Sequence, residues 1–131
     1  MKPIIVTKKD SLEEEINSGA MTRFAGVSEH LSNATNIHMA IANIPIDRCS
    51  TTHYHTNCES AIYVLSGSGL FVHGENMDIQ DEISAGDFIF VPAGALHQPV
   101  NTGETTLKLI VARNTPTEIV EEKPSLGRKD C

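Results

Sequence analysis

Short apolar runs, each a few residues long and mostly ended by glycine, proline or serine, limit this chain's fold more than any other sequence feature. The runs at 37–44, 60–65, 70–73, 88–91 and 106–112 are rich in β-branched and aromatic residues and have a period of about two. Many short strands at near-regular spacing are typical of an antiparallel sandwich or barrel. The sequence therefore predicts an all-β fold.

One segment carries helix signals instead. Ser11 stands three residues before Glu14, as in a capping box, and Gly19 follows as a stop signal. We therefore expect one short N-terminal helix over 11–19.

The length and charge bound what else the chain can be. Its 131 residues fit a single domain, 1–131, in which the strand-rich core spans about 37–112. The formal net charge is −7 and Lys and Arg form no stripe, so nucleic acid is not expected as a partner. No apolar run approaches the ~20 residues of a membrane span, and the N-terminus has no signal-peptide core. We expect a cytoplasmic protein.

The ends of the chain are more polar than the core. We expect them to wrap the outside or to form a homodimer, with Ile4-Ile5-Val6 and Glu118-Ile119-Val120 as swapped or edge-paired segments. The tail from 121 to 131 is expected to be frayed. Three scattered cysteines, Cys49, Cys58 and Cys131, argue against a disulfide framework.

Four residues could form a metal centre. His53 and His55 are two apart, so on a strand both side chains point to the same face. Glu59 follows four residues later, and His97 comes from a distant strand. Three imidazoles and one carboxylate leave positions open on an octahedral ion, which is a catalytic rather than a closed structural arrangement. A His-x-His pair alone is weak evidence, and the spacing of glycine and proline downstream strengthens it.

Two motifs in this region resemble those of the cupin superfamily of small β-barrels. The first, His-x-His followed by Glu and Gly, runs from His53 to Gly67. The second, G-x5-P-x-G-x2-H-x3-N, is matched at every fixed position from Gly86 to Asn101. Gly86 and Gly94 permit positive φ in the turns around one strand, and Pro92 fixes its exit. The resemblance implies a double-stranded β-helix, or jelly roll, as a small single-domain cupin.

One departure from the motif concerns the carboxylate. The usual spacing places six residues between Glu and Gly, whereas Glu59 and Gly67 are separated by seven. Counted back from Gly67, Ser60 occupies the position of the glutamate; counted forward from His55, Glu59 does. A bulge would reconcile the two counts, because one extra residue flips side chains between faces. Glu59 is predicted to be the fourth ligand, and the alternative is a three-histidine site with Glu59 outside it.

The resemblance also implies a chemistry. Cupins with this ligand set bind one divalent transition metal; mixed N and O donors favour Fe or Mn, with Zn, Ni or Cu as alternatives. A small oxygenated substrate would bind the open positions, in a dioxygenase or other oxidoreductase first and in an isomerase or lyase second. A non-enzymatic ligand-binding or sensing barrel, with or without metal, is the alternative from another class.

Overall fold

The chain forms eleven strands, and five of them lie at the five predicted runs. The computed structural model describes all 131 residues. In chain order the strands are β1 Glu13–Ser18, β2 Met21–Val27, β3 His38–Ile44, β4 His53–His55, β5 Ser60–Ser66, β6 Ser68–His73, β7 Ile79–Ser84, β8 Phe88–Val91, β9 His97–Asn101, β10 Leu107–Arg113 and β11 Val120–Glu122. The all-β prediction is confirmed.

The strands form two antiparallel sheets. The large sheet has the order β1-β2-β3-β10-β5-β8, and the small sheet has the order β11-β4-β9-β6-β7. Strands close in space but distant in sequence, such as β3 and β10, pair over their full length. This arrangement is the double-stranded β-helix that the motifs predicted.

The predicted helix over 11–19 is wrong. Lys9–Ser11 form one 3-10 turn, and the residues after it form strand β1, which pairs with β2 in a hairpin. Gly19 has a φ of +57° and serves the turn between these strands rather than a helix end. In the hairpin, the Glu15 carboxylate lies close to Arg23 and His38. These ionic contacts join residues that are distant in the sequence, so capping residues near Ser11 could not predict them.

The α-helix of the chain lies later and is one turn long. It is α1, Glu29–Ser32, capped by Ser28, whose Oγ accepts a hydrogen bond from the Leu31 amide at 3.0 Å. No helix combines the length and the hydrophobicity that crossing a membrane requires.

The inner core lies between the two sheets. Its buried residues are Met21, Ala42, Ile44, Ile62, Val64, Phe71, Ile83, Val91, Leu107 and Leu109. They come from alternate positions of their strands, which is why the period of two was visible in the sequence. This core supports one end of the barrel, next to the histidines described below.

A second cluster covers the outer face of the small sheet. Val72 and Val100 pack there with Cys49 and Met77, and Leu126 and Cys131 of the C-terminal tail lie against them. The tail is further held by the Gln98 side-chain oxygen, which accepts a hydrogen bond from the Arg128 amide at 2.9 Å. The expectation of a frayed tail is therefore wrong, because the tail closes an apolar surface.

The cysteines also differ from expectation. Cys49 and Cys131 form a disulfide across 82 residues of chain, with their Cα atoms 4.7 Å apart, while Cys58 is free and buried. The sequence argument looked for closely spaced pairs. Here the fold brings together two cysteines that lie 82 residues apart along the chain.

Candidate metal centre

Three histidines meet inside the barrel on the small sheet. His53 and His55 project from β4 to the same face, and His97, at the start of β9, lies directly opposite His53. One ring nitrogen from each lies within 4.8 Å of the others, and all three residues are buried. The structure therefore brings together three of the four residues predicted to bind metal.

The local sequence explains how His97 reaches this position. Gly94 adopts a φ of +81° in the turn after β8, and its amide donates a hydrogen bond of 2.8 Å to the His55 carbonyl. The turn thus attaches the chain before His97 to the strand that carries the other two histidines. The positive φ predicted for Gly94, and also for Gly86, is present.

Each imidazole has its Nδ1 atom engaged on the side away from the cluster. The His53 Nδ1–H donates to the Thr51 carbonyl at 2.7 Å, and the His97 Nδ1–H donates to the Ala95 carbonyl at 2.9 Å. The Nδ1 of His55 lies 2.8 Å from Oε2 of Glu118. Partners at Nδ1 fix the ring orientation and leave Nε2 as the lone-pair donor, the arrangement found around metal-binding histidines.

Two of these imidazoles are held neutral. Burial lowers the pKa of His53 to about 4 and that of His97 to about 3, because removal from water disfavours the imidazolium form. Only a neutral imidazole can donate a lone pair to a metal ion. The donor set and its protonation state therefore fit a divalent transition metal.

Glu118 is the carboxylate of this site, and the sequence analysis did not identify it as such. Burial opposes its ionisation, but the contacts with His55, Arg113 and Arg23 outweigh burial and hold the pKa of Glu118 well below its usual range. Arg23 Nη2 donates to Glu118 Oε1 at 2.7 Å, and Arg113 Nη1 donates to Oε2 at 2.6 Å. The carboxylate is thus held as an anion beside His55.

The charges around Glu118 continue into the large sheet. Arg23 Nε lies 3.7 Å from Glu15, whose second carboxylate oxygen is 2.9 Å from Nε2 of the buried His38. Each charge in this network faces an opposite one, which buried ions require. The positive charges next to the histidines are therefore already paired with carboxylates of the chain.

Glu59 does not join the histidines. Its side chain is exposed, and its backbone amide is bonded to the Asn114 side chain at 3.1 Å. Ser60, the next residue, is buried at the start of β5 and lines the same cavity as the three histidines. Of the two positions considered for the motif's glutamate, the one found by counting back from Gly67 faces inward, and in this chain it is occupied by Ser60.

No local signal in the sequence could have identified Glu118. It stands in a polar segment, and its position depends on β11, which pairs Val120 with His55 and Glu122 with His53. The segment around Glu118 therefore leads into a strand that pairs with β4 of its own chain, and its expected role in pairing with another subunit stays a prediction. Only the tertiary structure shows this long-range pairing.

The cavity at the histidines is small and has larger spaces on either side. It has a volume of about 30 Å³ and is also lined by Phe71, Ile62 and Arg23. A volume of this size holds an ion and about one or two waters. A cavity of about 500 Å³ between β7 and β8 reaches His97 and Phe71, and one of about 260 Å³ reaches His53 and His55 beside Glu118.

The double-stranded β-helix and its inward-facing histidine cluster define a class of small β-barrels in which the histidines could hold a metal ion. The model of the cupin domain family matches residues 41–113, which is more than half of the chain. This protein belongs to the cupin family.

Two relatives match most of the chain at modest identity. An uncharacterized protein of Methanocaldococcus jannaschii is 25% identical over 123 residues, covering 90% of this chain and 96% of its own. An uncharacterized protein of Aquifex aeolicus is 26% identical over 108 residues, covering 82% and 76%.

Solved structures with the same fold belong to proteins that are named for different activities. The polyketide cyclase RemF from Streptomyces resistomycificus superposes with a TM-score of 0.74 at 21% identity, covering 93% of this chain and 84% of its own. A predicted oxalate decarboxylase from Thermotoga maritima gives 0.70 at 22%, covering 86% and 99%. A sugar phosphate isomerase from Silicibacter pomeroyi gives 0.68 at 20%, covering 92% and 82%. At these identities the likeness shows the fold alone.

Proposed function

We propose that this protein is a metal-dependent enzyme that acts on a small oxygenated substrate. The observation that carries the proposal is the clustering of three buried imidazoles, one ring nitrogen of each lying within 4.8 Å of the others, while each Nδ1 atom faces an oxygen within 2.9 Å and leaves Nε2 for a metal. His53, His55 and His97 would hold the ion. Once bound, a divalent metal supplies Lewis-acid chemistry and, if it is Fe or Mn, the means to react with oxygen.

The chain's own residues would prepare the site in three ways. Glu118 keeps the His55 ring oriented, and Arg23 and Arg113 keep Glu118 charged. The barrel walls, among them Phe71 and Ile62, exclude bulk water. The larger cavity along β7 and β8 gives a substrate room to approach the histidines from the side of Phe71.

Within this proposal we place a dioxygenase or other oxidoreductase first, with Fe or Mn as the metal. An isomerase or lyase is the second candidate, since the structural neighbours are named as a cyclase, a decarboxylase and an isomerase. Zn, Ni or Cu would favour this second group. Glu59 has no part in the proposed ligand set, because it is exposed and outside the cluster.

Metal analysis of the purified, chelator-free protein tests the proposal. We expect about one transition metal per chain in the wild type and a loss in His53→Ala, with the fold retained. His30→Ala is the control, since His30 is exposed and outside the cluster. A wild type that neither contains nor takes up a divalent ion would overturn the enzyme as proposed and favour a metal-free binding barrel.

The reaction class needs a second readout. Oxygen uptake with enolic and catecholic substrates should appear only in Fe- or Mn-loaded wild type and disappear in His97→Ala. Turnover without oxygen consumption would favour the isomerase or lyase. A metal that is bound but whose removal lowers only the melting temperature would favour the non-enzymatic module.

We further propose that the protein is a cytoplasmic homodimer. Ile4 and Val6 lie in an extended N-terminal arm and are 93% and 72% exposed, which leaves an apolar segment without a partner in its own chain. Light scattering that gives the mass of one chain at high concentration would exclude the dimer. Fractionation of the source cells tests the compartment.

A further inference from the structure

The small cavity at the three histidines has no room for a substrate. Its volume of about 30 Å³ is filled by an ion and one or two waters, whereas sites for small molecules measure about 300–1,000 Å³. The bulk of a substrate therefore has to lie in a neighbouring cavity and reach the histidines from there.

The cavity of about 500 Å³ between β7 and β8, here called the β7–β8 cavity, has the size and the walls of such a binding site. Phe71 and His97 line both this cavity and the small one, so they stand where the two meet. Their rings are nearly parallel, with planes 8° apart and centroids separated by 5.6 Å. Ile83, Ile89 and Val91 add apolar wall, against which a substrate in this cavity would pack.

Apart from two histidines, every ionisable side chain that lines the β7–β8 cavity is a carboxylate. These are Asp81, Glu82 and Asp87, and no lysine or arginine reaches the wall. Asp81 Oδ2 lies 2.7 Å from Nε2 of His73, while Glu82 and Asp87 take part in no ion pair. The electrostatic potential in this cavity is therefore negative.

The approach from the other side offers no free positive charge either. The cavity of about 260 Å³ contains one arginine, Arg23, together with Glu118 and Glu122. Arg23 is already paired, because its Nη2 lies 2.7 Å from Glu118 and its Nε lies 3.7 Å from Glu15. Arg113 is also paired with Glu118, at 2.6 Å. An anionic substrate would find no unpaired arginine or lysine on either side of the histidines.

We infer that the site takes substrates that are uncharged or positively charged as they enter, and that it discriminates against carboxylates and phosphates. The inference rests on the metal-dependent enzyme proposed above and narrows its substrate class. Moving an anionic group out of water is costly unless an opposite charge receives it, and nearby carboxylates raise that cost. The end of the substrate that faces the histidines meets the same surroundings in every case, so the cavity walls decide which charge the rest of the molecule can carry.

Asp81 and Asp87 set this selection from the two strands that border the cavity. Asp81 lies two residues before the buried Ile83 on β7, so both side chains leave the strand on its inward face. Asp87 lies in the turn between β7 and β8, where its carboxylate accepts a hydrogen bond from the Ser84 amide at 2.8 Å. Both carboxylates are exposed at the cavity wall, so their effect on a ligand should weaken as salt is added.

Three diols that share one metal-binding group but differ in charge test the inference. The probes are catechol, which is uncharged, dopamine, which is cationic, and protocatechuate, which carries a carboxylate. Their affinities are measured from the visible absorption of the cobalt(II)-loaded protein, which changes when a diol binds the ion. In about 0.01 M salt we expect protocatechuate to bind about tenfold more weakly than catechol and dopamine at least as tightly as catechol. Added salt should reduce the difference.

An Asp81→Asn, Asp87→Asn double variant should bring protocatechuate to within about twofold of catechol. The matched control is Asp10→Asn, Asp47→Asn, which changes the net charge equally at two exposed positions that line none of the three cavities. The control should keep the wild-type ratio of affinities. Cobalt content and circular dichroism are measured for each protein, so that loss of the ion or of the fold is recognised.

Separate outcomes would overturn the inference and the proposed function. Cobalt-loaded wild type that binds protocatechuate as tightly as catechol, or that binds none of the diols, would overturn the inference and leave the metal-dependent enzyme standing. Equal recovery of protocatechuate binding in both double variants would assign the selection to the overall charge of −7 and would also overturn it. A protein that takes up no divalent ion would overturn both.

Discussion

The Glu118 carboxylate lies 2.8 Å from Nδ1 of His55 and accepts hydrogen bonds from two arginines of the large sheet. The histidine belongs to the small sheet and the glutamate to the segment before β11, so the contact joins the C-terminal segment to the candidate metal centre. The geometry of the site thus depends on a residue 63 positions away from His55 along the chain.

Replacing Glu118 with Gln should weaken metal binding without removing a ligand. Loss of the charged partner lets the His55 ring reorient, and changes of this kind typically cost 10–100-fold in metal affinity. The measurement is a competition titration with a chromophoric chelator. Glu59→Gln is the matched control, because this glutamate is exposed, and its affinity should equal that of the wild type. If Glu59→Gln weakened metal binding more than Glu118→Gln did, Glu59 would be the better candidate for the fourth ligand.

The metal-free protein should lose stability as the pH falls from about 7 to 4. The folded-state pKa values of His53 and His97 are lowered to about 4 and about 3, so below pH 6.5 the unfolded chain binds protons that the folded chain does not. At pH 5 each histidine should cost about 2 kcal/mol. Urea unfolding at a series of pH values measures this slope.

A His53→Asn, His97→Asn double variant is the control for this slope. It should show a flatter dependence between pH 6.5 and 5, because the two groups that take up protons on unfolding are gone. The low pKa of Glu118 acts in the same direction, but only below the ordinary carboxyl range of about 4.5. An unchanged slope in the double variant would assign the acid sensitivity to other groups.

Breaking the disulfide should destabilise the protein through its tail. Cys131→Ser removes a cross-link that closes 82 residues, and links of this kind contribute about 2–4 kcal/mol. We expect a lower urea midpoint and faster proteolysis after residue 122, since Leu126 and Cys131 pack together on the small sheet. Cys58→Ser controls for the loss of a thiol, and reduction of the wild type should reproduce the effect of Cys131→Ser only.

Shortening a core leucine should cost far more than shortening an exposed one. Leu109 is 1% exposed and belongs to the inner core, so Leu109→Ala should lower the free energy of unfolding by about 2–5 kcal/mol. Leu65 on the neighbouring strand is 44% exposed, and Leu65→Ala should change it by about 0.5 kcal/mol or less. Equal losses of unfolding free energy in the two variants would mean that the side chain of Leu109 does not point into the core.

The sequence by itself determined five strands of the barrel and three residues of the candidate site. Alternation in β3, β5 and β10 and the turn residues of the second motif are local signals, and they act over a few residues. His53, His55 and His97 could be found because two share a strand face and the third follows a turn that its own glycine and proline define. The all-β fold and the family follow from the same local patterns.

The tertiary structure decided the rest, because it depends on contacts between distant parts of the chain. The capping signals at Ser11 and Glu14 are worth little beside the pairing of β1 with β2 and the ionic contacts of Glu15. A shift of one residue in strand phase turned Glu59 outward and Ser60 inward. Glu118 and the Cys49–Cys131 disulfide come together only when the C-terminal segment folds back over the barrel, and no local pattern encodes which residues such a segment will meet.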